Sequence, residues 1–78
     1  MMAQKEIARA AHVIVEPSGV AKLVDAPLEE SELRILRHLI ERSGYQPIAD
    51  MEGFEHIRVN DPDDHGYNRD YAVLWKST

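Results

Sequence analysis

PLEESELRILRHLIERSG, residues 27–44, is the stretch whose reading decides the fold. At 100° per residue, Leu28, Leu33, Ile35, Leu36, Leu39 and Ile40 fall within an arc of roughly 160°, and Glu30, Arg34, Arg37, His38 and Glu41 fall opposite. That pattern predicts an amphipathic helix. Pro27 suits a first helical turn, where its missing N–H would have no partner, and Gly44 suits the left-handed residue just past the end. Glu29, Glu30 and Glu32 crowd the positive end of the helix dipole, and Arg37, His38 and Arg42 lie toward the negative end. Such charge terms contribute about 0.3–1 kcal/mol each, so burial of the apolar face must supply most of the stability. A flat apolar partner is therefore required, and a β-sheet is the simplest one.

The flanking segments read as strands. His12–Glu16 and Val20–Asp25 are apolar and β-branched, and Glu16-Pro17-Ser18-Gly19 between them fits a type I turn closed by a left-handed glycine, a three-residue hairpin with a bulge. Residues 1–11 suit either a helix or a strand, and the alanine content favours a short helix or frayed turn ahead of the first strand. After Gly44, Tyr45–Ile48 is extended, with Pro47 arguing for an edge or irregular segment, and Asp50–Gly53 is a turn. Phe54–Val59 and Tyr71–Lys76 are strands joined by a polar loop, NDPDDHGYNRD. The expected fold is a single α+β domain over residues 1–78, of ββαββ order: an antiparallel sheet of three to four strands with the central helix packed on one face.

Composition narrows the function classes. The chain has 78 residues and no cysteine, so disulfides and thiolate metal sites are excluded. Seventy-eight residues fold with only about 4–12 kcal/mol in hand, which leaves little room for buried polar machinery. Residues 1–15 have the length and charges of neither a signal peptide nor a membrane span, and a reducing cytoplasm is expected. The net charge is −5. It resides entirely in residues 45–70, where Asp50, Glu52, Glu55, Asp61, Asp63, Asp64 and Asp70 face only Arg58 and Arg69. Such a segment repels phosphate backbones and attracts basic surfaces, so direct nucleic-acid binding is not expected; the carboxylates either form a solvated surface or imitate the phosphates of a nucleic acid.

Candidate chemistry is sparse. Asp61, Asp63 and His65 alternate ahead of Gly66 like the start of a calcium loop, but the twelfth position, which must carry a bidentate glutamate, is Ala72, and strands flank the loop. No metal and no cofactor is expected. His12, His38, His56 and His65 have no sequence neighbours that mark an acid–base pair, and no Ser, Cys or Lys reads as an activated nucleophile. Trp75, Tyr71 and Val73 share one face of the last strand, where core packing is the default; an exposed Trp75 would instead anchor an interface.

In size and character, acidic, cysteine-free, under eighty residues and without a catalytic motif, the whole chain resembles the small phage-encoded anti-CRISPR inhibitors. That resemblance implies a non-enzymatic, stoichiometric inhibitor in the bacterial cytoplasm that covers a basic, DNA-contacting surface of a Cas subunit or effector complex. Its contacts would be Asp50, Glu52, Glu55, Asp61, Asp63, Asp64 and Asp70, with Tyr67 or Trp75 as anchor. A general adaptor or antitoxin-type domain would show the same profile, and exposed edge strands would allow a homodimer. Over Leu36–Pro62 the order helix, Gly44-Tyr45, strand, Gly53, His56, strand is similar to HicA-type mRNA-cleaving toxins, which implies a catalytic His56; acids stand here where an RNA-cleaving surface carries bases.

Overall fold

The computed structural model describes residues 5–77. Six elements follow one another: β1 (Ile7–Val15), β2 (Ala21–Pro27), α1 (Glu30–Ser43), β3 (Gln46–Met51), β4 (Phe54–Asp61) and β5 (Tyr67–Trp75). All strand pairs are antiparallel, in the spatial order β2-β1-β5-β4-β3. The fold is α+β in the broad sense, but it corrects the expected ββαββ order and the three to four strands: the sheet has five strands and the order is ββαβββ. The additional strand is β3. Pro47 does not stop it, because β3 is an edge strand and the register slips between Pro47 and Ala49, so the missing N–H disrupts no central ladder.

The N-terminal expectation is corrected as well. From Ile7 onward the chain is strand, not helix or frayed turn, and β1 lies between β2 and β5; residues 1–4 fall outside the described part. The alanines misled because Ala10 and Ala11, on opposite sides of this strand, are both buried within the sheet. A register slip between Ile7 and Arg9 sends Ile7 and Ala10 toward the helix, while Ala11 and Val13 are buried on the other side. Small side chains suit a central strand flanked on both edges.

The helix is shorter than the quoted stretch. Pro27 ends β2, paired with Ala11, and the Leu28 N–H donates to the Ala10 carbonyl at 2.8 Å, so the chain is still extended where a first helical turn was expected. Glu29 then caps the helix without a side-chain hydrogen bond. At the far end Gly44, at φ 73, donates its N–H to the Ile40 carbonyl at 2.7 Å, as the sequence predicts for a left-handed terminator. Leu36 and Leu39 are buried against Ile57, Val59, Tyr71 and Val73 of the sheet, with Ile7, Ala10 and Leu28 completing the core. Burying each leucine contributes about 1.5–3 kcal/mol. Ile35, at the edge of the apolar arc, stays 41% exposed.

The β1–β2 turn is the one read from sequence: Gly19 N–H donates to Glu16 O at 2.8 Å and Glu16 N–H to Val20 O at 2.9 Å, with Gly19 at φ 93. The long polar loop between the last two strands is mostly strand. β4 runs to Asp61 and β5 begins at Tyr67, leaving residues 62–66 as the connection.

Candidate functional site

The acidic segment does not form one surface. β4 is eight residues long, roughly 25 Å of strand. Asp50, Glu52 and Glu55 lie at its start, around the β3–β4 turn; Asp61 closes its other end, with Asp63 and Asp64 just beyond. Asp70 is on β5, opposite Arg58.

Most of these carboxylates are already engaged. Asp61 is buried, takes the Asp63 main-chain N–H at 3.1 Å and meets Arg69 at 3.1 Å. Asp64 meets the same guanidinium at 3.4 Å, and Asp63 pairs with Arg42 at the end of α1. These contacts build the loop. Asp64 N–H donates to Asp61 O, Tyr67 N–H donates to Asp64 O, and His65 and Gly66 take the left-handed conformation between them. Asp61, Asp63 and His65 do not converge on a common point, and among the described residues no group of three His, Asp or Glu side chains is placed to hold a metal ion. Tyr67, next to this turn, is 66% exposed.

Asp50 and Glu52 differ from these. Both are exposed, and neither has an ion-pair partner among the described residues. They sit on the tip that joins Met51 to its partner Phe54, and its two central residues, Glu52 at φ 52 and Gly53 at φ 87, are both left-handed. This is a type I′ hairpin turn, in which the first central position favours Asn, Asp or Gly. A glutamate there is strained by about 1–2 kcal/mol. Glu55, just inside β4, accepts the indole N–H of Trp75 at 3.0 Å. Trp75 is half-buried, packed 5.3 Å from the Tyr45 ring and with the Lys5 ammonium 5.3 Å from its own ring centroid. It closes the edge of the core and does not project as an anchor.

On the face away from the helix lies a polar cluster. Ala11, Ala72, His56 and Ala49 form one cross-strand row there, and the small neighbours leave room for the imidazole, which is 3% exposed. His56 Nε2 lies 2.7 Å from Asp70 Oδ2, which assigns the proton to Nε2 in the neutral ring. Arg58 donates to the same carboxylate twice, from Nε at 3.0 Å and from Nη2 at 2.9 Å. Burial pushes the Asp70 carboxyl up; the bonds from Arg58 and His56 outweigh it and hold the group below its ordinary value. Beside Arg58, a shallow groove of about 250 Å³ is lined by Ser43, Gly44, Tyr45, Gln46, Asn60 and Asn68.

The sequence reading missed Arg58 as a partner of Asp70. A turn centred on Asp64 would have revealed it, because that centre alone pairs Asp61 with Tyr67, Asn60 with Asn68 and Arg58 with Asp70. No family model, no curated protein and no solved structure matches this chain. No helix of the described residues is long and apolar enough to cross a membrane.

Proposed function

We propose that this chain is a non-enzymatic domain that inhibits or modulates a protein partner by presenting carboxylates to a basic surface. The kind of partner that the anti-CRISPR resemblance implies is a Cas subunit or effector complex, with the acids placed where DNA phosphates would lie. The observation that carries the reading is the β3–β4 tip: Asp50 and Glu52 are exposed and without an ion-pair partner among the described residues, and Glu52 holds a strained backbone position that Asn or Gly would fill at lower energy. Strain retained at an exposed charged position points to a role outside folding. The contact set is thereby narrowed from the seven acids to this tip, because Asp61, Asp63, Asp64 and Asp70 are each ion-paired with Arg69, Arg42 or Arg58 within the domain, and Glu55 accepts the Trp75 indole N–H.

The toxin-like alternative rests on His56. Its ring is buried and its Nε2 is committed to Asp70, so it offers no free nitrogen on that side to take a proton from an RNA hydroxyl. The test is affinity capture from a bacterial lysate that contains a CRISPR effector, with wild type and the Asp50→Lys/Glu52→Lys variant as baits at rising salt. Capture of a nucleic-acid-binding complex by wild type, lost in the variant and weakened by salt, is expected. Equal capture by both baits would contradict the reading.

A further inference from the structure

β1 and β5 part company halfway along. Their ladder runs from Ile7 opposite Trp75 only to His12 opposite Tyr71. Beyond that point β1 continues to Val15 with β2 alone, and β5, which starts at Tyr67, is paired with β4 alone. The end of the ladder coincides with an irregularity in β1–β2: Ala11 and Val13 of β1 face Pro27 and Leu23 of β2, so β2 carries surplus residues in that interval, a bulge of the kind that bends a strand. Two hairpin arms therefore leave the sheet, with residues 13–15 on one and 67–70 on the other each laddered on one side only. The long dimension of the domain, 41 Å against 30 and 22 Å, accords with projecting arms.

These arms also carry much of the exposed apolar surface. Of the seven large hydrophobic residues exposed among the described residues, Ile14, Val15 and Val20 are on the first arm and Tyr67 is on the second. Apart from the bulge after Ala11, these edges lack the charge and proline that usually protect an open edge. Val13-Ile14-Val15 has no charge and no proline, and the charged ends of Arg69 and Asp70 are drawn to Asp61, Asp64, His56 and Arg58. The outer edge of β3 does have such protection, in Pro47 and the register slip after it.

We propose that the edges left open where the β1–β5 ladder ends accept an extended segment of a partner protein by strand addition. The recognition groups on offer are main-chain donors and acceptors flanked by apolar side chains, which fit a strand whose alternate side chains are apolar. A second copy of this chain is the poorer occupant, because each of its strands is already laddered into its own sheet and none is free to insert. The inference does not depend on the acidic tip, which lies at the other end of β4.

An NMR titration tests it, with the isotope-labelled full chain and a short peptide of alternating threonine and valine carrying a lysine at each end. The expected result is shifts and slowed exchange for the amides of residues 13–15 and 68–70 that are not already bonded to β2 or β4. Methylating alternate peptide nitrogens should abolish binding, and Ile14→Thr with Tyr67→Ser should weaken it about fivefold or more with the melting temperature unchanged. No shift at these amides, shifts confined to the outer edges of β2 or β3, or equal binding of the methylated peptide would overturn the proposal. So would a free chain that is dimeric with these amides already protected.

Discussion

His56 and Asp70 meet across the β4–β5 ladder through a 2.7 Å hydrogen bond, and Arg58 clamps the same carboxylate from its other side. The three groups occupy one face of two adjacent strands, and the imidazole and carboxylate are largely shielded from water. A carboxylate desolvated in this way is tolerable only with its donors in place. The cluster is therefore a fastening between the two strands, and it withdraws one of the seven acids and one of the four histidines from the surface chemistry that the sequence suggests.

The first prediction concerns acid stability. Because the Asp70 carboxyl is held below its ordinary value in the folded state, its contribution is fully present above the unfolded carboxyl range near about pH 4 and is lost as pH falls through the depressed value. Asp70→Asn should cost about 2 kcal/mol at neutral pH, toward the lower end for a buried charged bond because Arg58 is about one third exposed. The variant should also show a flatter decline below about pH 4. Urea titrations of both proteins across pH 2–7 read the two effects.

The second separates building acids from surface acids in one loop. Asp61→Ala removes a buried carboxylate that holds a main-chain N–H and Arg69, and should destabilise by about 1–2 kcal/mol. Asp64→Ala, on an exposed side chain, should change stability by no more than about 0.5 kcal/mol. Equal effects in thermal melts would show that Asp61 is as solvated as its neighbour.

The third concerns the turn at Glu52. Glu52→Asn should raise stability by about 0.5–1 kcal/mol by relieving the left-handed strain, while weakening partner binding. A loss of stability would mean that Glu52 makes a compensating contact, and unchanged binding would remove it from the interface.

The fourth concerns the helix face. Leu36→Ala, at a fully buried position, should cost about 2–5 kcal/mol. Ile35→Ala should cost no more than about 0.5 kcal/mol, since that side chain is 41% exposed. Denaturant melts of the pair measure how much of the predicted apolar arc the sheet covers.

The helix and the first hairpin were legible because each carries local marks: a 3.6-residue period ended by Gly44, and a Pro17–Gly19 turn. The rest depended on pairing, which a single sequence does not display. β1 was half hidden because Ala10 and Ala11 resemble helix formers until two neighbouring strands cover them. The Asn60–Asp61 and Tyr67–Asp70 ends of β4 and β5 read as loop in the sequence because they are polar. On a projecting arm, main-chain ladders need no apolar side chains. The partners of the paired acids, Arg42, Arg58 and Arg69, come from α1 and from across one hairpin, so the ion pairing is visible only in three dimensions.

The most direct measurement of the central proposal is a competition titration. A purified CRISPR effector complex is loaded with fluorescent target DNA and titrated with this chain and with its Asp50→Lys/Glu52→Lys variant. Stoichiometric displacement of DNA by wild type, weakened about tenfold or more in the folded variant and by added salt, is the result predicted. Displacement by both proteins alike, or retention of DNA at saturating wild-type chain, would contradict it.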